Sequence, residues 1–301
     1  MKAVTWNEPD AAPALRDDLP EPTADPGQVV VRVHASSLNP VDNAIAAGML
    51  QGVMPHEFPV TLGRDLAGTV EAVGDGVSAY ASGDAVLGMV PAIGATMHDG
   101  AWAELVAISE ELIAPAPDGV DTAIAGAAPL VTVTALMCVE AISPSAGETV
   151  LVIGAAGGVG TVVVQLAAAA GARVVAPGLP EDEAYLRDLG AAEVLPRDGE
   201  VPDGVDAIVD LVGSGSDAFD AALSDGGRIA SATNSAGEGP GRTNVQSSAA
   251  EPEHFRRVSQ LLADGTLKIP IQARYELAQA VEGLQDLANE HTQGKRALRV
   301  A

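Results

Sequence analysis

The sequence predicts an α/β protein in two parts: a small β-barrel of short strands, then a doubly wound parallel sheet. Three observations carry that prediction. Residues 1–108 hold short apolar runs between glycine and proline turns, the spacing of a small barrel. Residues 149–171, TVLVIGAAGGVGTVVVQLAAAAG, read as strand, glycine turn and helix. From there to residue 270, strand-like and helix-like stretches alternate with short links, as in a parallel sheet covered by helices. A length of 301 residues fits about two domains.

In order along the chain, a first strand is expected at 1–6 and a second at 28–35, with Val29, Val31 and Val33 on one face. Pro9, Pro13, Pro20, Pro22 and Pro26 punctuate the connection. The stretch SLNPVD (37–42) leads into a short helix ending at Gly48. Turn-and-strand units follow at 60–77 and 82–90, and one more strand at 100–108. Residues 124–142 are apolar at helical spacing and contain Thr132 and Thr134. After the glycine stretch we expect strands at 173–176, 192–195, 206–212, 226–231 and 267–270. Helices are expected at 181–189, 217–223 and 251–264. Residues 271–301, with a helix at 276–289 and a last strand near 297–300, are expected to return to the first part. The expected domains are therefore 1–120 with 271–301, and 121–270.

The charge is lopsided, 41 acidic against 16 basic residues, net −25. That excludes a general nucleic-acid or anionic-membrane surface, and an anionic ligand would need a locally basic pocket. Cys138 is the single cysteine, so neither an intramolecular disulfide nor a cysteine-rich metal site is available. With no charged-then-apolar leader pattern and no unbroken apolar run of about 18 residues, the expected location is cytoplasmic.

The glycine turn carries the chemistry. Gly154, Ala155, Ala156, Gly157, Gly158, Val159 and Gly160 form an A-x-G-x-x-G variant of the dinucleotide fingerprint. Gly157 lets backbone approach a pyrophosphate, and Gly160 lets helix and strand pack closely. The free N–H groups and positive dipole end of the helix face the phosphate. A tight turn with no ligand is the alternative reading.

Several stretches together, in one order along nearly the whole chain, resemble the medium-chain dehydrogenase/reductase superfamily and its zinc-free quinone oxidoreductase-like branch. They are SLNPVD, TLGRDLAGTVEAVG (61–74), GDAV (83–86), GAWAE (100–104), GAAGGVG (154–160), QLAAAAGARV (165–174), DGGRI (225–229) and GKRALRV (294–300). The resemblance implies a GroES-like barrel plus a Rossmann domain, with the active-site cleft between them. Where zinc-dependent members carry a cysteine followed two residues on by Thr-Asp, this chain has Asn39-Pro40-Val41-Asp42. Where they carry Gly-His-Glu, it has Gly63-Arg64-Asp65. An arginine cannot ligate zinc, so no metal is expected.

The resemblance also assigns residues. Asn39 is either a pocket residue beside the nicotinamide or a cap for the following helix. Arg64 is either a cleft residue polarising a substrate oxygen or the partner of Asp65 or Glu71. Thr134 lies either near the cofactor phosphates or in the core. Val212, Gly213 and Ser231 end strands on the ligand-binding edge, and Lys295 is carried over as cofactor-binding. His56 and His98 read as solvated loop histidines, and Cys138 as a buried small hydrophobe. The tyrosines at 80, 185 and 275 all lie away from SLNPVD, so water is the expected proton donor.

The implied activity is NADPH-dependent hydride transfer to a quinone or α,β-unsaturated carbonyl, in a chain whose family is often dimeric. The alternatives are a pathway-specific reductase or cyclising enzyme of secondary metabolism, and a non-catalytic dinucleotide-binding sensor. NADPH is expected over NADH because the end of the second Rossmann strand, 175–178, has no acid until Glu181; the acids at 181–183 argue the other way if that loop folds inward. Arg197, where related NADPH reductases often have a tyrosine, would bind the 2′-phosphate or stack on adenine. Its alternative is a surface arginine paired with Asp198 or Glu200.

Overall fold

The computed structural model describes residues 1–9, 11–214 and 220–301. Short β-branched runs form the first strands: β1 (Ala3–Trp6), β2 (Ala14–Arg16), β3 (Gln28–Leu38), β4 (Val60–Thr61), β5 (Asp65–Val73), β6 (Ala85–Met89), β7 (Leu105–Ser109) and β8 (Ile113–Pro115). Helix α1 (Pro40–Ala46) interrupts them, with a proline at its first position, where a missing N–H costs nothing. Strand β3 is long and mostly buried because it is shared: β5, β7 and the last strand of the chain all pair with it, antiparallel. A separate antiparallel sheet has the order β2-β1-β4. Trp6, Leu38, Ile45 and Trp102 fill one barrel core, and Val29, Val31, Val33 and Leu66 fill another.

Beyond β8 come α2 (Thr122–Ala125) and α3 (Pro129–Ile142), two helices where one was expected at 124–142. Gly126 caps the first, and Pro129, which lacks an N–H, starts the second. The parallel sheet follows: β9 (Thr149–Ile153), α4 (Gly158–Ala169), β10 (Arg173–Gly178), α5 (Glu183–Asp188), β11 (Glu193–Pro196), β12 (Val205–Asp210), β13 (Leu223–Ser231), β14 (Arg242–Asn244) and α6 (Pro252–Ala263). Its order is β11-β10-β9-β12-β13-β14, every pairing parallel. That is the doubly wound order 3-2-1-4-5-6, whose direction reverses between β9 and β12. The apolar runs of β9, β10 and β12 are buried because helices cover both faces.

Four further expectations change. The sixth strand is β14, not residues 267–270, whose Lys268 backbone bonds to the Gln165 side chain on α4 instead of to a strand. The start of α5 is tightened into a 3-10 turn at Pro180–Asp182. The strand expected at 206–212 ends at Asp210. Of the helix expected at 217–223, residues 217–219 lie outside the described residues; Asp220 is helical, Ala221 and Ala222 form a turn, and Leu223 already belongs to β13. The chain ends with β15 (Ile271–Glu276), α7 (Ala280–Asn289) and β16 (Lys295–Arg299). Strands β15 and β16 pair in parallel, and β16 joins β3. Among the described residues no helix is long and apolar enough to cross a membrane.

Candidate active site

A trench of about 840 Å³ runs over the carboxyl edge of the parallel sheet, between that sheet and the barrel. Such sheets bind ligands at this edge, where the strand order reverses. The glycine turn forms its floor. Gly154 adopts a left-handed backbone, φ +84°, which brings the chain round from β9 to α4. A Cβ on Gly160 would lie 2.2 Å from the Gly154 carbonyl oxygen, so this glycine is spent on helix–strand packing. A Cβ on Gly157 would meet nothing nearer than 3.5 Å, so this glycine keeps the trench floor open. Gly157 caps α4, whose first amides have no intrahelical acceptors. An open cradle at a helix N-terminus fits a pyrophosphate. Ala155 is buried beneath the floor.

The opposite wall is one segment of the barrel part. Gly294 pairs with Gly157 and donates to the Ala156 carbonyl at 2.8 Å. His291 and Thr292 line the trench on one side of this contact, and Lys295 and Arg296 on the other. Arg197 lies on the wall at the end of β11. It donates to His291 Nδ1 at 3.1 Å rather than pairing with Asp198 or Glu200.

At the other end, a buried polar network lies behind the wall. Lys295 Nζ donates to Asn39 Oδ1 at 2.5 Å and to the Leu38 carbonyl at 3.2 Å. Asn39 Nδ2 donates to Asp65 Oδ2 at 2.8 Å and to Ser37 Oγ at 3.3 Å. Asp65 also accepts from Ser37 Oγ at 2.5 Å and, through Oδ1, from the Leu130 amide at 2.6 Å, in the first turn of α3. Asn39 is therefore neither a side-chain cap nor a free donor. The cap bond at α1 runs the other way, from the Asn39 amide to Asp42 Oδ2 at 2.9 Å. Burial lowers the Lys295 pKa, against the pull of Asp65 and Asp42. Burial pushes the Asp42 carboxyl up to about 6, with Arg64 opposing.

Arg64 corrects an expectation. Its side chain is 1% exposed and does not line the trench. The guanidinium donates to the carbonyls of Thr61 and Asp99, both at 2.8 Å, and of Pro91 at 3.1 Å, with Asp42 4.0 Å from Nε. It ties three backbone carbonyls together, away from the trench.

A family model described as Alcohol dehydrogenase GroES-like domain matches residues 25–118, and one described as Zinc-binding dehydrogenase matches residues 181–298. The solved quinone oxidoreductase of Coxiella burnetii superposes with a TM-score of 0.89 at 28% identity, over 100% of this chain and 99% of that one. The chain belongs to the medium-chain dehydrogenase/reductase superfamily. The chloroplast envelope quinone oxidoreductase homolog of Arabidopsis thaliana is 29% identical over 92% of this chain and 91% of its own length. The 2-methylene-furan-3-one reductase of Solanum lycopersicum is 32% identical over 71% of this chain, which spans 58% of that protein. A mycobacterial structure complexed with NADPH superposes with a TM-score of 0.84 at 26% identity, over 99% of this chain and 100% of that one.

In this dehydrogenase/reductase, several further residues find their places. Thr134 lines the trench, its hydroxyl donating to the Leu130 carbonyl at 2.7 Å. Gly158 and Val159 line the floor, and Val212 projects at the rim, 59% exposed. Gly213 lies in a turn drawn in by the side chain of Asp210, a role that its place at the end of the strand did not show. Its Oδ1 accepts the amides of Val212 at 3.1 Å and Gly213 at 3.2 Å, and its Oδ2 the amide of Ser214 at 3.2 Å. Ser231 does not line the trench: its buried hydroxyl bonds to Thr233 and Ser235, leaving Ala232 and Thr233 at the wall. His56 packs edge-on against Trp6, half-buried rather than solvated, whereas His98 is exposed. Burial pushes the Cys138 thiol up to about 12, an inert apolar position. None of the three tyrosines lines the trench.

Proposed function

We propose that this chain is an NADPH-dependent reductase that reduces a quinone or an α,β-unsaturated carbonyl without a metal. The observation that carries the reading is one continuous trench, a glycine cradle in its middle and an uncharged apolar mouth at its end. When bound there, NADPH supplies the hydride. The α4 amides and the open floor at Gly157 hold the pyrophosphate, and the turn at Val212 closes over the nicotinamide half. Pro40, Val41, Leu50, Ala92, Ile93 and Leu287 line the mouth. They exclude water and hold a flat, neutral acceptor against the cofactor, so positioning supplies most of the catalysis. The Ile93 amide donates to Ser248 Oγ at 3.1 Å, which joins the two parts at the mouth. Among the described residues no tyrosine lines the trench and its one histidine lies at the far end, so water at the mouth supplies the proton.

Relatives named for quinone and enone reduction, and a neighbour solved with NADPH, support this choice of acceptor and cofactor. The donor chemistry supports independence from metal. Arg64 and Asn39 stand where relatives carry ligands, and both spend their polar atoms inside the protein. The test is loss of NADPH absorbance with panels of quinones and enones, after dialysis against a chelator. Turnover that survives the chelator is expected. Loss of activity together with stoichiometric zinc refutes the metal-free reading, and tight NADPH binding without turnover on any acceptor favours a sensor.

A further inference from the structure

The end of β10 is where a doubly wound sheet reads the adenosine ribose. The acid near that end is Asp182, on the trench wall beside Pro177, Arg197 and His291. Its carboxylate is buried and already occupied. Oδ2 accepts the Leu179 amide at 2.9 Å, and Oδ1 accepts Gln293 Nε2 at 2.8 Å and His291 Nε2 at 2.7 Å. An acid held by three donors is not the free ribose acceptor of an NAD site. Burial pushes this carboxyl's pKa up, but the bonds from His291, Gln293 and the Leu179 amide outweigh it and hold it low. Arg197 donates to the other nitrogen of the same imidazole, so Nδ1 is the acceptor in that contact. Among the described residues no carboxylate pairs with Arg197. Two groups that can both be cations thus meet head to head, with an anion behind one of them and the trench in front.

We propose that His291 and Arg197 together bind the 2′-phosphate of NADPH, with Asp182 as the positioning residue that lets His291 do so as a cation. The inference rests on the trench being a nicotinamide dinucleotide site. The phosphate takes the place of the imidazole as acceptor for Arg197. His291 Nδ1 takes up one proton from solvent and donates it to a phosphate oxygen, while Nε2–H stays on Asp182. The ribose hydroxyl of NADH calls for no such proton. The charged groups around the imidazole are Asp182 from the β10–α5 turn and Arg197 from the turn after β11. Glu290 on its own segment is committed to Arg296 at 2.8 Å. Among the described residues, the other cationic side chains on the trench, Lys295 and Arg296, donate to Asn39 and to Tyr275 and Glu290 instead.

The test is titration calorimetry of the intact protein with NADPH and with NADH, at slightly alkaline pH, in two buffers of different protonation enthalpy. Wild type should take up about one proton with NADPH and none with NADH. His291→Gln should remove that uptake and weaken NADPH about 10- to 100-fold, leaving NADH within about twofold. Arg197→Ala should weaken NADPH while keeping the uptake. Asp182→Asn should reduce the uptake; because Asp182 is buried, the His291 variant, at a side chain 27% exposed, carries the test if the former unfolds. NADPH binding without proton uptake, or equal losses for both dinucleotides in His291→Gln, overturns the inference. Failure of wild type to bind either dinucleotide overturns the dinucleotide reading itself.

Discussion

Lys295 Nζ lies 2.5 Å from Asn39 Oδ1, and this contact joins the last strand of the chain to the turn before α1. The same ammonium is 3.6 Å from Asp65 Oδ2, in a site closed to water. Removing one partner of a buried charge pair leaves the other uncompensated, which costs far more than the pair itself contributes. Lys295→Met should therefore lower the unfolding free energy by about 3 kcal/mol. Asp65→Asn in the same chain should restore part of the loss, because both charges are then gone. Urea unfolding of the two single variants and the double variant reads the coupling. Strictly additive losses would show that the pair is not one electrostatic unit.

Two glycines three positions apart should fail in opposite ways. At Gly157 an added side chain finds open trench, and at Gly160 it finds backbone at 2.2 Å. Gly157→Val should stay folded, within about 1 kcal/mol of wild type, and lose dinucleotide binding because its methyls occupy the pyrophosphate space. Gly160→Ala should lower stability by about 2 kcal/mol, since neither the Gly154 carbonyl nor Ala155 can move without shifting β9. Thermal unfolding and calorimetric titration separate the two. Unchanged NADPH affinity in folded Gly157→Val would remove the phosphate from this turn.

The glycine stretch was legible because its meaning is local. Strand, turn and helix lie within residues 149–171, and the spacing alone fixes which glycine faces ligand and which faces the helix. Roles set by distant partners were not legible. Arg64 follows a glycine at a position that read as cleft, but its direction is decided by carbonyls at 91 and 99, which no spacing rule connects to it. Asn39 and Lys295 are 256 residues apart, and Asp182 and His291 are 109 apart. His291 sits in HTQG, a polar loop with no periodicity, so nothing in the sequence drew attention to it. The edge strand β14 is only Arg-Thr-Asn, without an apolar pattern. The apolar stretch at 267–270 imitates a strand while its backbone bonds to Gln165.

The placement of Arg64 separates two kinds of loss. Arg64→Met removes a charged donor from three carbonyls and should cost about 3 kcal/mol of stability. It touches no trench residue directly, so dinucleotide affinity should hold. The Pro91 carbonyl it releases immediately precedes Ala92 and Ile93 at the mouth, so KM for the acceptor should rise while kcat changes little. A collapse of kcat with unchanged KM would mean that the guanidinium acts on the substrate after all.

Asp42 supplies a pH signature with a definite sign. Its folded pKa is about 6, raised chiefly by burial, against an ordinary value of about 3.9 in the unfolded chain. Below about pH 4 the group is protonated in both states and burial costs it little. Between about pH 4 and 6 the folded state holds the proton and the unfolded state does not, so stability attributable to this group falls as pH rises. Above about pH 6 both states are ionised and the folded state bears the full cost of burying the charge. Two units correspond to about 3 kcal/mol. Asp42→Asn cannot titrate, so wild-type minus variant unfolding free energy should fall by up to that amount from pH 4 to pH 7. Taking the difference cancels the many surface carboxylates that the two proteins share. A flat difference would mean that the Gly63 and Asn39 amides and Arg64 fully offset the cost of burial, and one that grows with pH that they outweigh it.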